Sequence, residues 1–458
     1  MGAGPVERRE GHGRLNGIPS ASTGSGLPVA VDAVALSYEQ DCDHAAPTQP
    51  GAAALLPRPS NEWRPAVALP AHHHEYGPAQ PEELSAVARL ARLGFGLSRD
   101  LFDRYAGLFG IDSIRVLRVP RSTGTTLAAC AAYWTMNQWF GGRPVPVQAI
   151  AMVAVDPALR GIGHGSALMR ALLLEGRQAG AALAVLCPAT LPFYHRLGFG
   201  RGGVTCRWSA PPSAFVQSGA TANDLWPADP LDALPLAMLR KPLLAEQNGL
   251  PERTEALWTL ALCPDGEPAE LYRNRHGYIA VTPPQDRRLA VADLCLPSAR
   301  ALKPAMAMLS DFRAQVDRVT WTGGPDDPMA LLAGDGVTLA CREEWLVRPL
   351  DVGKALAARG YAADIQEYAI FEINDELIFD NCARHHLEVA SSVGYISKTA
   401  QVVDPPARIG TAAFASLFTG HASARALWSA GLLHGEEKMI DRLHRVFRGA
   451  PGWMPDRF

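Results

Sequence analysis

Apolar residues recur at helix and strand periods along most of the chain beyond residue 80. Leu84, Val87, Ala88 and Ala91 lie at helical spacing, and Gly94 is the predicted C-cap of that helix. Further along, the pattern predicts strands at 114–119, 127–140, 145–155 and 182–187, a helix at 163–179, and a short helix with a turn at 192–200. Elements in this order are typical of an α/β domain, and residues 64–69 are the candidate for its first strand.

The rest of the chain divides into an N-terminal extension and two further segments. Residues 1–60 are rich in Gly, Pro, Ala and Ser and lack periodicity, which predicts a mostly disordered extension. The predicted domains are therefore 61–210, 211–343 and 344–458. The middle one combines predicted strands at 278–281, 289–294 and 318–321 with a helix at 298–313. The last one combines predicted strands at 365–373, 386–390 and 394–399 with helices at 411–418, 422–430 and 436–447.

Composition narrows the class of protein. The length of 458 residues suggests about three domains, and 48% hydrophobic with 19% charged residues is typical of a globular chain. The net charge of −3, without a basic stripe, argues against a nucleic-acid binder. No apolar run approaches the ~20 residues of a membrane span, and no secretory signal is recognisable. The eight scattered cysteines predict buried free thiols in a reducing cytoplasm.

The histidine clusters do not predict a metal site. Three adjacent histidines, 72–74, cannot easily all face one ion, so a solvated linker is the preferred interpretation. His385 and His386 are neighbours on a predicted strand and point to opposite faces. We therefore expect no metal cofactor.

The most informative stretch is a glycine-rich turn between a strand and a helix. It runs from Arg160 through Gly161, Ile162, Gly163, His164 and Gly165 to Ser166, the first residue of the helix-like run. A helix N-terminus presents free backbone N–H groups, and glycine allows a pyrophosphate to approach the main chain closely. The spacing differs from that of a P-loop and of a dinucleotide fingerprint. The alternative is an ordinary glycine-rich turn of an α/β domain.

The turn, Arg-x-x-Gly-x-Gly, resembles the coenzyme A pyrophosphate loop of GNAT acyltransferases, and the whole chain resembles the Eis (enhanced intracellular survival) family of acetyltransferases. The resemblance runs from about residue 81 to 458 and is carried by 145–163, 193–200, 345–352, 355–361 and an aromatic C-terminus shortly after Trp453. It implies an α/β (α+β) fold with two GNAT-like mixed-sheet domains, the central one degenerate and lacking the phosphate loop. A sterol-carrier-protein-like domain follows.

The resemblance also implies a mechanism and a set of site residues. Acetyl-CoA is the implied donor, and a primary amine of a small molecule or a lysine side chain is the implied acceptor. Tyr194 is the implied general acid, and the terminal carboxylate of Phe458 is the implied general base. Backbone N–H groups of a bulged strand, at Met152, Val153 and Val155, are implied to bind the donor. A hexamer built from two trimers is the implied assembly.

Each assignment has a structural alternative. In the alternative interpretation, Tyr194 is a core aromatic residue and Phe458 is a frayed terminus. Arg160 then caps a helix on the surface. The aromatic residues Trp134, Trp139 and Phe140 either wall the acceptor pocket or belong to the core. Asp100, Asp103 and Asp456 are candidates to compensate the basic Arg457 beside the terminal carboxylate.

Two further functions stay open at this point. One is a dedicated acyltransferase for a single natural product or peptide, using a longer acyl-CoA. The other is a non-catalytic protein that binds lipid or acts as a scaffold through the C-terminal domain. The intact glycine-rich turn and Tyr194 count against the second alternative.

Overall fold

The computed structural model describes residues 74–122, 124–217, 219–398 and 404–457. The predicted disordered extension, the candidate strand at 64–69 and Phe458 lie outside these ranges. The first described segment consists of β1 (Glu75–Pro78), α1 (Leu84–Phe95), α2 (Arg99–Phe109), β2 (Ile114–Arg121), β3 (Gly124–Phe140), β4 (Arg143–Val155), α3 (His164–Gln178), β5 (Leu183–Leu186), α4 (Leu191–His195) and β6 (Gly200–Ala210). These elements follow the predicted order, with β1, α2 and β6 added.

Helix α1 ends later than predicted, and α2 is not among the predicted helices. Helix α1 continues through Gly94 and is capped by Gly96, which has a left-handed φ of 69°. Gly94 instead packs on β4, where a Cβ atom would lie 3.2 Å from Ala154 Cβ. Helix α2 begins at Ser98, whose side chain accepts a hydrogen bond from the Leu101 backbone N–H at 3.2 Å.

The central segment adds a second set of strands and helices. It contains β7 (Trp226–Ala228), α5 (Ala233–Glu246), β8 (Pro251–Glu252), α6 (Glu255–Leu262), β9 (Glu270–Asn274), β10 (Gly277–Val281), β11 (Arg288–Cys295), α7 (Ala299–Asp311), β12 (Arg318–Gly323), α8 (Pro328–Leu332) and β13 (Thr338–Pro349). The strands run on from the first sheet, so that the hydrogen-bonded order in the described residues is β1-β2-β3-β4-β5-β13-β6-β12-β11-β10-β9-β7, with β8 paired to β3.

Strand β13 crosses the predicted domain boundary at residue 343. It pairs antiparallel with β5 through Leu346 and Leu186, and with β6 through Glu343 and Thr205. Residues 344–349, which the prediction assigns to the C-terminal domain, therefore complete the first sheet by their backbone hydrogen bonds.

The C-terminal segment forms a separate five-stranded sheet with four helices in the described residues. Its elements are α9 (Val352–Ala358), β14 (Glu367–Asn374), β15 (Arg384–Ala390), β16 (Val393–Lys398), β17 (Ala407–Gly410), α10 (Thr411–Phe418), α11 (Ala424–Ser429), β18 (Leu433–His434) and α12 (Glu437–Val446). The strand order is β16-β15-β14-β17-β18. The largest buried cluster contains Val147, Val347, Phe371 and Phe414, so it joins this sheet to the first one.

Cysteine placement agrees with the prediction in part. Cys130, Cys206, Cys263 and Cys295 are buried thiols, whereas Cys187 and Cys382 are exposed, Cys187 directly after β5. None of the helices in the described ranges has the length and apolar character needed to cross a bilayer.

Candidate active site

A β-bulge interrupts β4 close to its carboxyl end. Ala151 pairs with Ala132 and Ala154 pairs with Cys130, so two residues of β4, Met152 and Val153, stand opposite one residue of β3. Met152 has a positive φ of 51°. The parallel pairing of β4 with β5 ends before the bulge, at Ile150 and Leu186. The bulge therefore removes backbone groups from the ladder where β4 extends beyond β5.

The glycine-rich turn follows directly and begins α3. Gly161 and Gly163 have left-handed φ angles of 80° and 95°, which glycine adopts without steric cost. Gly165 sits in a close contact, because a Cβ atom there would lie 3.1 Å from Val155 Cγ2. Arg160 Nε donates to the Val155 carbonyl oxygen at 3.2 Å and fixes the turn against the end of β4. The 15-residue α3 thus presents its N-terminus beside the bulged strand.

The remaining predicted residues of the turn differ in exposure. Ile162 is 57% exposed at the tip of the turn, and Ser166 is half-buried in the first turn of α3. His164 is buried, and its Nδ1 lies 3.1 Å from Nε2 of His74. His74 is therefore packed against the turn, whereas His72 and His73 lie outside the described residues.

A cavity of about 530 Å³ opens beside the bulge. Met152 and Val153 line it on one side, and Tyr194 lines it from α4. Aromatic side chains of α1, α2 and β3 form an apolar wall, and β13 contributes polar side chains. The other lining residues used below are Phe95, Leu97, Tyr105, Phe109, Trp134, Cys187, Thr205, Arg342, Glu343, Glu344, Trp345 and Arg457.

Tyr194 is held at the cavity by aromatic packing. Its ring makes edge contacts with Phe193 and Phe199, at centroid distances of 4.9 and 5.8 Å. Only 5% of the residue is exposed. Burial, with a smaller contribution from Cys187, raises the pKa of the Tyr194 phenol above its ordinary value. The phenol is therefore protonated at neutral pH, as a proton donor must be.

The three aromatic residues that were candidates for the pocket wall lie in different places in the structure. Trp134 lines the cavity and stacks on Phe109 of α2, with ring centroids 4.0 Å apart. Trp139 and Phe140 are not among the described residues that line it. Phe140 is fully buried and packs against Phe418 of α10, at a centroid distance of 5.3 Å. Strand β3 is long enough to pass from the cavity wall into the core beneath the C-terminal sheet.

The C-terminal tail runs along β6 towards the cavity. The Val204 backbone N–H donates to the Gly452 carbonyl oxygen at 3.0 Å, and the Met454 N–H donates to the Val204 carbonyl at 3.1 Å. Thr205 Oγ1 donates to the Met454 carbonyl at 2.6 Å. Arg457 forms an ion pair with Glu343 and lines the cavity. Phe458 follows and lies outside the described residues.

A buried ion cluster fixes this tail to the central segment. Arg253 contacts Asp456 of the tail at 2.6 Å and Asp293 of β11 at 2.6 Å, and all three side chains are almost fully buried. Tyr278 donates to the same Asp293 at 2.7 Å. Burial would by itself lower the pKa of Arg253, but Asp293 and Asp456 hold it well above its usual range. Asp456 is thus a structural partner of Arg253.

Replacing Arg253 by methionine is expected to lower the free energy of unfolding by about 3–5 kcal/mol, because the buried Asp456 loses its cation and Asp293 keeps only Arg240, at 3.8 Å. Denaturant unfolding followed by circular dichroism measures this change. The matched control is Arg287→Met, which breaks a largely exposed pair with Asp317 and should change little. Equal stability of the two variants would contradict the role assigned to Arg253.

Sequence reasoning missed the contribution of β13 to the site. Glu343, Glu344 and Trp345 reach the cavity because β13 inserts between β5 and β6. Trp345 is almost completely buried, and its Nε1 has no hydrogen-bond partner among the described residues. A buried donor without a partner is uncommon in a folded protein.

Comparison with known families assigns the chemistry. The acetyltransferase (GNAT) domain family matches residues 75–202, and the sterol carrier protein domain family matches residues 352–455. Residues 75–202 form a GNAT acetyltransferase domain, and the chain is an acyltransferase. Its GNAT class implies the use of a coenzyme A thioester as donor, and the predicted enzyme class and mixed α/β fold are confirmed. The domain boundaries and the GNAT-like character of the central segment stay predictions.

Two relatives of this chain are described as N-acetyltransferases. An uncharacterized N-acetyltransferase from Streptomyces griseus is 27% identical over 356 residues, which is 69% of this chain and 83% of that protein. An uncharacterized N-acetyltransferase from Streptomyces avermitilis is 29% identical over 265 residues, covering 51% of this chain and 63% of that protein.

Solved structures extend the likeness over the whole acyltransferase fold. A GCN5-related N-acetyltransferase from Anabaena variabilis is 26% identical with a TM-score of 0.77, covering 84% of this chain and 100% of that one. Eis1 from Mycobacterium abscessus has a TM-score of 0.69 at 22% identity, with the same coverage, and shows the shared fold. The resemblance to the Eis family is thus confirmed in the fold and in the presence of a GNAT domain followed by a sterol carrier protein domain.

The described residues contain no group of three or more His, Cys, Asp or Glu side chains placed to hold a metal ion.

Proposed function

We propose that this enzyme transfers an acetyl group from acetyl-CoA to a primary amine of a small molecule or a lysine side chain. One observation carries the proposal: the bulged end of β4, Tyr194 and Arg457, the residue before Phe458, all line the same cavity. A thioester donor and a proton donor can therefore act at one place, beside the residue that precedes the proposed base.

The donor is proposed to enter along α3 and β4. The pyrophosphate would bind the turn from Arg160 to Ser166, where a helix N-terminus offers backbone N–H groups. The pantetheine arm would then follow β4 to Val155 and the bulge. Because Met152 and Val153 stand opposite a single residue, the bulge supplies N–H groups to polarise the thioester carbonyl.

The reaction needs one proton transfer before the amine attacks and another when the thiolate leaves, and each is assigned to a residue. The acceptor ammonium, with an ordinary pKa of about 10.4, must lose a proton before its nitrogen can attack. We assign that proton to the carboxylate of Phe458, the residue that follows Arg457 in the chain. The C–N bond then forms and the C–S bond breaks. Tyr194 protonates the leaving thiolate, and its phenolate regains a proton from the nitrogen of the new amide, which still carries the extra proton of the attacking amine.

Each turnover consumes one ammonium and one thioester, and it yields one amide, one free thiol and one released proton. Trp134 is proposed to form part of the acceptor wall. The hexamer and the cytoplasmic location expected from the resemblance and the composition stay predictions.

Thiol release from acetyl-CoA tests the proposal directly. The N-terminally tagged protein is assayed with a panel of monoamines, diamines, an aminoglycoside and a lysine peptide, and acetyl-CoA binding is followed by calorimetry. Amine-dependent release with formation of the acetamide supports the assignment. Binding of acetyl-CoA without release for any amine would contradict N-acetylation of these acceptors, and a longer acyl donor would then be tested.

A further inference from the structure

The acceptor pocket combines an aromatic wall with internally neutralised charges. We infer that the preferred acceptor carries a single ammonium group on an aromatic or bulky apolar body, as in arylalkylamines. This inference rests on the proposed function and narrows its substrate class. It excludes as preferred acceptors the polyamines and aminoglycosides, whose several charges require several carboxylates.

Part of the aromatic wall is a row of stacked rings from helix α2 and strand β3. Phe109 of α2 lies between Tyr105 and Trp134, at centroid distances of 6.3 and 4.0 Å, and its ring is nearly parallel to both. Phe95 and Leu97 extend the row at the end of α1. Aromatic rings offer a large apolar area and favour offset or edge contacts with another ring. An aryl group that binds against this row is removed from water and also makes these ring contacts, and both effects favour binding.

The carboxylates of the cavity are already paired with guanidinium groups. Glu343 contacts Arg457 and lies 3.6 Å from Arg207, and Glu344 contacts Arg201 at 2.6 Å and Arg342 at 3.4 Å. Burial would raise the pKa of Glu344, but Arg201 and its neighbours hold it below the ordinary range. Two of these arginines, Arg342 and Arg457, line the cavity themselves. The described lining charges therefore cancel.

The other acidic residues considered from the sequence do not add to the pocket. Asp103 of α2 pairs with Arg99 at 2.8 Å and is about half exposed, and Asp456 belongs to the buried cluster with Arg253. Neither of them, nor Asp100, is among the described residues that line the cavity. If the Phe458 carboxylate is the base, it compensates one ammonium. A second ammonium would lose its hydration without gaining a partner, which is unfavourable.

A set of matched amines tests the effect of a second positive charge separately from the effect of the apolar body of the acceptor. The enzyme is assayed with acetyl-CoA and 2-phenylethylamine, hexylamine, 1,6-diaminohexane and an aminoglycoside, and kcat/KM is measured for each. We expect 2-phenylethylamine to exceed 1,6-diaminohexane by roughly tenfold or more, since tenfold corresponds to only ~1.4 kcal/mol of differential binding. Hexylamine, which has the same chain and one charge fewer, should also exceed the diamine. A preference for the diamine or the aminoglycoside overturns the inference and leaves N-acetylation intact.

Two variants test the two halves of the argument. Phe109→Ala should lower kcat/KM for 2-phenylethylamine by roughly tenfold, with an unchanged KM for acetyl-CoA. Phe379→Ala, which removes an exposed phenylalanine outside the cavity, is the control. Arg342→Glu makes the lining negative and should raise kcat/KM for 1,6-diaminohexane relative to hexylamine. An unchanged ratio would overturn the charge argument, whereas absence of release with every amine would overturn the proposed function itself.

Discussion

The Tyr194→Phe variant is expected to lower kcat by roughly 10²–10⁴-fold, the range in which a positioned acid or base contributes. The change removes one oxygen and keeps the ring, so the contacts with Phe193 and Phe199 are retained. Acetyl-CoA binding should change little because the thiolate needs the proton only as the C–S bond breaks. Steady-state kinetics together with calorimetry of acetyl-CoA binding measure the two quantities separately.

Tyr361→Phe is the matched control for this prediction. Tyr361 is also buried and donates to the Leu356 carbonyl oxygen at 2.8 Å, but it lies in the C-terminal core. Its variant should retain a kcat close to that of the unmodified enzyme. If Tyr194→Phe were equally active, Tyr194 would be a packing residue and another group would have to protonate the thiolate.

The pH profile provides a second readout on Tyr194. An acid works in its protonated form, which is lost only as the pH rises through its pKa. Burial raises that pKa above the ordinary ~10. We therefore expect kcat/KM to show no falling limb between about pH 8 and 10, and a fall within this interval that disappears in Tyr194→Phe would contradict the raised pKa.

Extending the chain by a single glycine after Phe458 is expected to reduce kcat by a similar factor of roughly 10²–10⁴. The added residue keeps the phenylalanine side chain but converts its carboxylate into a neutral amide, which cannot accept the ammonium proton. The tail before it is held by β6 and by the Arg253 cluster, so the fold should not change. Thiol release and thermal unfolding measure activity and stability in the same preparation.

A glycine added at the N-terminus is the control for the extension. It adds the same residue at the other end and should leave kcat unaltered. A fully active C-terminally extended enzyme would remove Phe458 as the base and would direct attention to another carboxylate of the cavity. A large loss of stability would instead show that the tail contributes mainly to folding.

Local sequence determined a large part of this fold. Residues 411–418 carry the predicted helix α10 with the same limits, and the runs around Ile114, Val145 and Tyr278 became strands β2, β4 and β10. The turn from Arg160 to Gly165 was recognisable because its glycines are required by backbone geometry within a few residues. Periodicity and glycine positions are local properties, and they can therefore be read from neighbouring residues alone.

Tertiary structure decided which of these elements meet at the cavity. The alternation of Trp134, Trp139 and Phe140 does not distinguish a cavity wall from a core, and only the packing of Phe140 on Phe418 separates them. Glu343, Glu344 and Arg457 reach the site because β13 enters the first sheet and the tail follows β6. These pairings join residues far apart in sequence, so they depend on long-range hydrogen bonds and burial that no local pattern encodes.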